Sequence, residues 1–181
     1  MFKSIHYLIL LLIGFSLPGA YGQQVRKLTF DGVLSEQKLS IEDLKLPMDW
    51  SDYSHLVMEV RTSTPQCFSL WLYRANGTPV RLMLQPFGQN TWFRASIPLQ
   101  YFKGMDKSGN DLASSINRRA NSFWMSVWGP FGDINAINAL GFAMTYPISK
   151  PTVGVRAVHL SKQDEGSELD QKGKEDEGDL M

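Results

Sequence analysis

The stretch from Gln66 to Gln85, QCFSLWLYRANGTPVRLMLQ, holds two alternating runs on either side of one turn signal. Phe68, Leu70 and Leu72 precede the turn, and Val80, Leu82 and Leu84 follow it. Side chains alternate between the faces of a strand, so register decides whether the two apolar sets meet. A tight turn of Asn76 and Gly77 alone would set the apolar residues of one strand against the polar face of the other. A loop of Ala75, Asn76 and Gly77, with Gly77 in the left-handed region as a bulge, pairs Leu72 with Val80, Leu70 with Leu82 and Phe68 with Leu84. That register makes one apolar face. The other face carries Ser69, Trp71 and Tyr73 against Met83, Arg81 and Pro79, so that Trp71 stands opposite Arg81. An indole beside a guanidinium on the outer side of a sheet is an unusual pair to leave in water.

Working outward, Val25 to Phe30 alternates as a first strand, and Gln37 to Ile41 as a weaker second one with Leu39 and Ile41 facing in. Asp43 to Ser54 is broken by Pro47 and carries Trp50 and Tyr53 into a corner. From His55, Leu56, Met58 and Val60 alternate with Val57, Glu59 and Arg61. Beyond the hairpin, Thr91 to Ile97 points Phe93, Ala95 and Ile97 inward and Trp92, Arg94 and Ser96 outward. Asp111 to Arg119 reads as a short helix capped by Asn110 or Asp111. Ser122 to Trp128 sets Phe123, Met125 and Val127 against Trp124, Ser126 and Trp128. The apolar run Ala139 to Thr145 predicts a strand buried on both sides, and Val153 to Leu160 a last strand. Short strands separated by Gly and Pro turns predict an all-β chain folded as an antiparallel β-sandwich rather than βαβ units.

The ends differ from this middle. Residues 1–22 carry a basic Lys3, an apolar run from Tyr7 to Leu17 and small residues at Ala20 and Gly22, the pattern of a cleaved secretory signal. The run is short for a membrane span, so a secreted or periplasmic location is expected, with no membrane attachment after cleavage. Residues 23–162 then form one domain, and 163–181 a disordered acidic tail. From Ser161 to Met181 there are eight acidic residues against three lysines, too little apolar surface to build a core. Cys67 is the single cysteine, so no intrachain disulfide staples the domain and its core must suffice. A formal net charge of zero argues against a nucleic-acid partner.

Trp71, Tyr73, Trp92, Trp124 and Trp128 all fall on the side of their strands opposite the aliphatic one, interleaved with Arg81, Arg94, Gln85 and Ser126. Flat rings give large contact area at low entropy cost, and fixed polar groups beside them select among hydroxyls. That is what a polysaccharide or oligosaccharide site needs. The same composition also fits rings packed under loops or a protein interface. Which sheet each aromatic strand joins is not set by alternation. Catalysis finds little support: a glycosidase needs two carboxylates flanking the scissile bond, and Glu59 stands alone inside a strand, where Arg61 or Arg81 is its expected partner. His55 and His159 lack a third ligand at metal spacing. The Asp106, Ser108, Asn110, Asp111 run has the oxygen spacing of a calcium loop, but Asp111 and Asn117 stand where Gly and Glu belong, and a turn with a helix cap is the simpler expectation. No cofactor is therefore expected beyond structural calcium at that run. Asn76-Gly77-Thr78 matches the N-glycosylation pattern, though the turn itself already calls for Asn-Gly.

The segments LPMDWSDYSHLVMEVRTSTPQCFSLWLYR, NTWFRASIPLQYF and INALGFAMTYPISKPTVGVRAVHLSK together resemble the galactose-binding-like module found at the start of secreted polysaccharide-degrading enzymes of Bacteroidetes, the agarase-like glycoside hydrolases among them. The likeness runs from about Val25 to Lys162 and rests on Asp49-Trp50-Ser51-Tyr53-Leu56, Trp92-Ile97-Pro98-Leu99 and Ile137 to Ser161. It implies a jelly-roll sandwich that binds carbohydrate and, in those enzymes, precedes a catalytic barrel that this sequence does not contain. The resemblance implies a noncatalytic module contacting glycan through Trp71, Tyr73, Arg81, Trp92, Arg94, Trp124 and Trp128. Two alternatives use the same residues: the aromatic face packs on a missing glycoside hydrolase domain of which this chain is the truncated start, or it serves protein–protein interaction.

Overall fold

Alternating apolar residues can be buried only if two strand faces close on each other, and the described residues do this with ten strands. A computed structural model describes residues 24–105, 116–119, 122–127, 129–167 and 169, with the backbone alone for 116–119. The signal-like start, the Asp106 to Asp111 run, Trp128 and most of the acidic tail lie outside them. The strands are β1 (Arg26–Thr29), β2 (Leu34–Ser40), β3 (His55–Thr62), β4 (Phe68–Arg74), β5 (Val80–Pro86), β6 (Phe93–Pro98), β7 (Ile116–Arg119), β8 (Phe123–Val127), β9 (Ile137–Thr145) and β10 (Thr152–Ser161). They form a four-stranded sheet ordered β1-β10-β3-β6 and a six-stranded sheet ordered β2-β9-β4-β5-β8-β7.

The pairs β4·β5, β3·β6, β2·β9 and β1·β10 nest inside one another, all antiparallel. This is one long hairpin, rolled up until β10 meets β3 and β9 meets β4. That winding is a jelly roll, and the β7–β8 hairpin is an insertion that extends the edge beside β5.

The innermost hairpin has the expected register, with Phe68 opposite Leu84, Leu70 opposite Leu82, Leu72 opposite Val80 and Trp71 opposite Arg81. Gly77 takes φ +94°, which glycine accommodates without strain. The ladder stops earlier than a three-residue loop requires: beyond the Leu72–Val80 pair, Arg74 Nε donates to the Thr78 carbonyl at 2.8 Å. The side chains of Leu70, Leu72, Val80, Leu82 and Leu84 are wholly buried between the sheets, together with Val60, Ala95, Leu140 and Val155. Trp50 is buried in the corner formed by 41–54, its indole donating to the Pro47 carbonyl at 2.7 Å.

Two expectations are corrected. Ile116 to Arg119, expected to end a helix, pairs with β8 as strand β7, because β8 offers an open edge that takes up its backbone groups. The acidic tail does not begin as disordered chain at 163: residues 163–167 lie against the four-stranded sheet, where Glu165 N–H donates to Ser96 Oγ at 3.1 Å and Arg94 N–H to the Ser167 carbonyl at 3.4 Å. Strand β9 is buried on both faces from Leu140 to Met144, as its unbroken apolar run implies.

Leu82→Ala removes a side chain from the middle of the innermost hairpin. It is expected to lower unfolding free energy by about 3 kcal/mol, seen as a lower urea midpoint at unchanged slope.

Candidate functional site

The sequence alone could not assign the aromatic strands to sheets, and the fold divides them. Trp71 and Tyr73 on β4, Arg81 on β5 and Trp124 on β8 belong to the outer face of the six-stranded sheet. Arg94 on β6 and Trp92 just before that strand lie on the other sheet's side of the sandwich, away from these. Trp128 lies outside the described residues. The single platform of seven residues is thus two separate surfaces, which differ in how far the chain itself fills them.

On the four-stranded sheet the outer face is largely self-satisfied. Glu59 pairs with neither Arg61 nor Arg81: Arg156 on β10 stands directly opposite it in the ladder, and Arg156 Nε meets Glu59 Oε2 at 2.6 Å. Both side chains are mostly buried, at 9% and 15% exposure. Trp92 lies with the Arg156 guanidinium 4.3 Å and the Arg61 guanidinium 5.2 Å from its ring centroid. Arg94 Nη1 donates to the Glu165 carbonyl at 3.2 Å, so it holds the strap 163–167. Trp92 and Arg94 are therefore engaged inside the molecule.

The strap has a second fastening. His159 Nδ1 faces the Ala157 carbonyl at 2.9 Å and Nε2 faces Glu165 Oε1 at 2.8 Å. Carbonyl and carboxylate oxygens only accept, so both contacts are hydrogen bonds when the ring carries two protons. Burial works against the Glu165 carboxylate, but the hydrogen bond and charge of His159, with Ser161 and Arg94, hold it below the usual glutamate range.

On the six-stranded sheet a row of side chains runs across four adjacent strands, β2, β9, β4 and β5. Lys38 on β2 stands opposite Gly141 on β9, and Gly141 opposite Trp71 on β4. The Tyr73 ring lies over Gly141, where a Cβ would come within 2.6 Å of it, and its hydroxyl donates to Glu36 Oε1. Lys38 Nζ sits 3.7 Å from the Tyr73 centroid, and Trp71 and Tyr73 are 6.5 Å apart and tilted by 31°. At the other end the Arg81 guanidinium lies 4.9 Å from the Trp71 ring and donates to the Gly129 carbonyl at 3.0 Å. Burial pushes the Arg81 pKa down, and burial followed by the Glu36 contact pushes the Tyr73 phenol up. In the order Lys38, Tyr73, Trp71, Arg81 a cation closes each end of a pair of adjacent rings, which holds both rings in fixed orientation.

Farther along the same face lies a depression of about 220 Å³ lined by Cys67, Met83, Gln85, Trp124 and Ser126. Trp124 is 41% exposed, and its neighbour across the ladder is Gln85. Two strand spacings across and four residues along place Trp71 and Trp124 about 16 Å apart. Among the described residues no group of three or more His, Cys, Asp or Glu side chains could hold a metal ion.

Sequence reasoning overlooked Gly141 and the ring-supporting pair Glu36 and Lys38. A glycine inside a strand pattern is the available signal, since it marks a place where another group approaches the backbone. The chain matches no family model, no curated protein and no solved structure.

Two outcomes are expected. Glu36→Gln removes the charge facing Tyr73, so the late-ionising tyrosine in an ultraviolet pH titration moves toward the ordinary range yet stays above it, because burial persists. Glu165, depressed in the fold, adds stability that is fully present above its unfolded pKa of about 4.3 and is lost as pH falls through the lower folded value. Glu165→Gln is therefore less stable than wild type by at most about 1 kcal/mol near neutral pH, and the urea curves of the two converge in acid.

Proposed function

We propose that the chain is a noncatalytic carbohydrate-binding module that contacts a polysaccharide or oligosaccharide through the outer face of its six-stranded sheet. The observation that carries this reading is Trp124, a large ring exposed on a sheet face beside Gln85 and Ser126 and above a shallow depression. An indole covers the apolar face of a pyranose, while amide and hydroxyl groups next to it meet the equatorial hydroxyls. Trp71, supported by Arg81, supplies a second ring on the same face. Their separation suits a short run of sugars rather than one.

The reading as noncatalytic is supported by the placement of the strand carboxylates. Among the described residues Glu36 and Glu59 are the two acidic residues within strands, and they lie on different sheets. Glu36 is bonded to Tyr73 and lies 3.6 Å from Lys38, and Glu59 is paired with Arg156. They do not make the facing pair that glycoside hydrolysis uses. The jelly-roll winding supports the resemblance to galactose-binding-like modules, and with it a place beside a polysaccharide-degrading enzyme and a secreted or periplasmic location.

A glycan array probed with the wild type is expected to give selective binding that Trp124→Ala weakens at least tenfold and Trp71→Ala weakens further, since a ring stacked on a ligand contributes about 1–3 kcal/mol. Trp92→Ala, refolded and equal in circular dichroism, retains the binding. An array without signal, or equal binding by the Trp124 variant, contradicts the reading.

A further inference from the structure

On the outer face of the four-stranded sheet there is a place that the chain leaves unfilled. Lys27 on β1, Gly154 on β10 and Arg61 on β3 stand in register on three adjacent strands. Gly154 lacks a side chain, so the row has a gap between two cations. The Trp92 ring edge closes one side, 3.2 Å from where a Gly154 Cβ would sit. The result is a notch of about 130 Å³ whose lining includes Ser63, Asn90 and Thr152 and no carboxylate.

The polar groups at the rim are fixed by the backbone. Ser63 Oγ accepts from the Thr152 N–H at 2.8 Å, so its own proton points elsewhere. Asn90 takes φ +57° and donates its N–H to the Thr62 carbonyl at 2.6 Å, which holds its amide beside the notch. A non-glycine residue in that region is held there by its surroundings, and such positions cluster where ligands are clamped. Among the described residues neither Lys27 nor Arg61 forms an ion pair, whereas Arg156 one row away is matched to Glu59. Two cations converging with hydroxyl and amide donors on a notch without a counter-charge form an anion site. The volume takes one compact charged group and is too small for a whole drug-sized ligand.

We propose that this notch binds an anionic substituent, a sulfate ester or a carboxylate, carried on a sugar of an acidic polysaccharide. The sugar rests on the carbohydrate-binding reading above; the anion does not. Lys27 and Arg61 grip the charged oxygens from two sides, Ser63 and Thr152 donate to the remaining lone pairs, and the Gly154 gap lets the group reach the sheet.

The test is a ¹⁵N NMR titration of the whole domain with sodium sulfate against sodium chloride at matched ionic strength, followed by a sulfated, a uronic-acid and a neutral oligosaccharide. Saturable sulfate shifts at Arg61, Asn90, Thr152 and Gly154, absent with chloride, are expected. Lys27→Gln, on an exposed side chain that no core contact depends on, is expected to weaken sulfate at least tenfold, the loss of one charge-assisted contact. Arg61→Gln, checked for an unchanged spectrum at Trp92, does the same. The two acidic oligosaccharides then distinguish ester from carboxylate. Sulfate shifts equal to those of chloride, or unaltered in both variants, overturn the notch. If sulfate binds there and no oligosaccharide binds anywhere, the notch stands and the carbohydrate reading falls. Neutral glycan bound through Trp124 with a silent notch gives the reverse.

Discussion

Residues along a strand point alternately to its two sides, so setting Leu70 opposite Leu82 also sets Trp71 opposite Arg81. One parity decides both the core and the surface of the innermost hairpin. Because the other strand pairs wrap around that hairpin, the choice propagates through the roll. Leu140 and Phe142 on β9 face the same interior as Leu70 and Leu72, and Gly141 between them is left beneath Tyr73. A slip by one residue would bury Arg81 and Trp71 and expose a row of leucines.

The two outer faces share a chemical vocabulary of rings and guanidiniums and use it differently. On the four-stranded sheet the Arg156–Glu59 pair, Trp92 and the strap at Glu165 consume one another's contacts. A buried ion pair contributes little net stability, because taking both charges out of water offsets most of their attraction. On the six-stranded sheet the cations sit on the rings and leave Trp124 projecting. Both glycines that thin these faces, Gly141 and Gly154, lie mid-strand, one covered by Tyr73 and the other edged by Trp92.

Much of this was legible in the chain. Strict alternation, with the loop Ala75-Asn76-Gly77 in place of a two-residue turn, pointed to the hairpin register, and inward residues such as Phe93, Ala95, Phe123 and Met125 are buried as read. The sheet to which Trp92 and Arg94 belong was not legible, since alternation reports inside against outside and carries nothing about which layer a strand joins. Ile116 to Arg119 has one apolar residue and follows helix-capping types, so local preference pointed to a helix where an open strand edge decided otherwise. The Arg156 partner of Glu59 was hidden by 97 residues of separation, since only the pairing of β3 with β10 sets the two opposite each other. Residues 163–167 read as tail because the contacts that fasten them to the sheet run to Arg94, Ser96 and His159, outside the segment.

The division of the two faces is tested most directly by following tryptophan indole resonances during titration with the glycan that the array selects. The account predicts that Trp71 and Trp124 shift together and saturably, while Trp92 stays with its arginines unless the glycan is acidic. Trp71 and Trp124 unmoved, with shifts confined to Trp92 or to the loops at the ends of the sandwich under a neutral glycan, would contradict it.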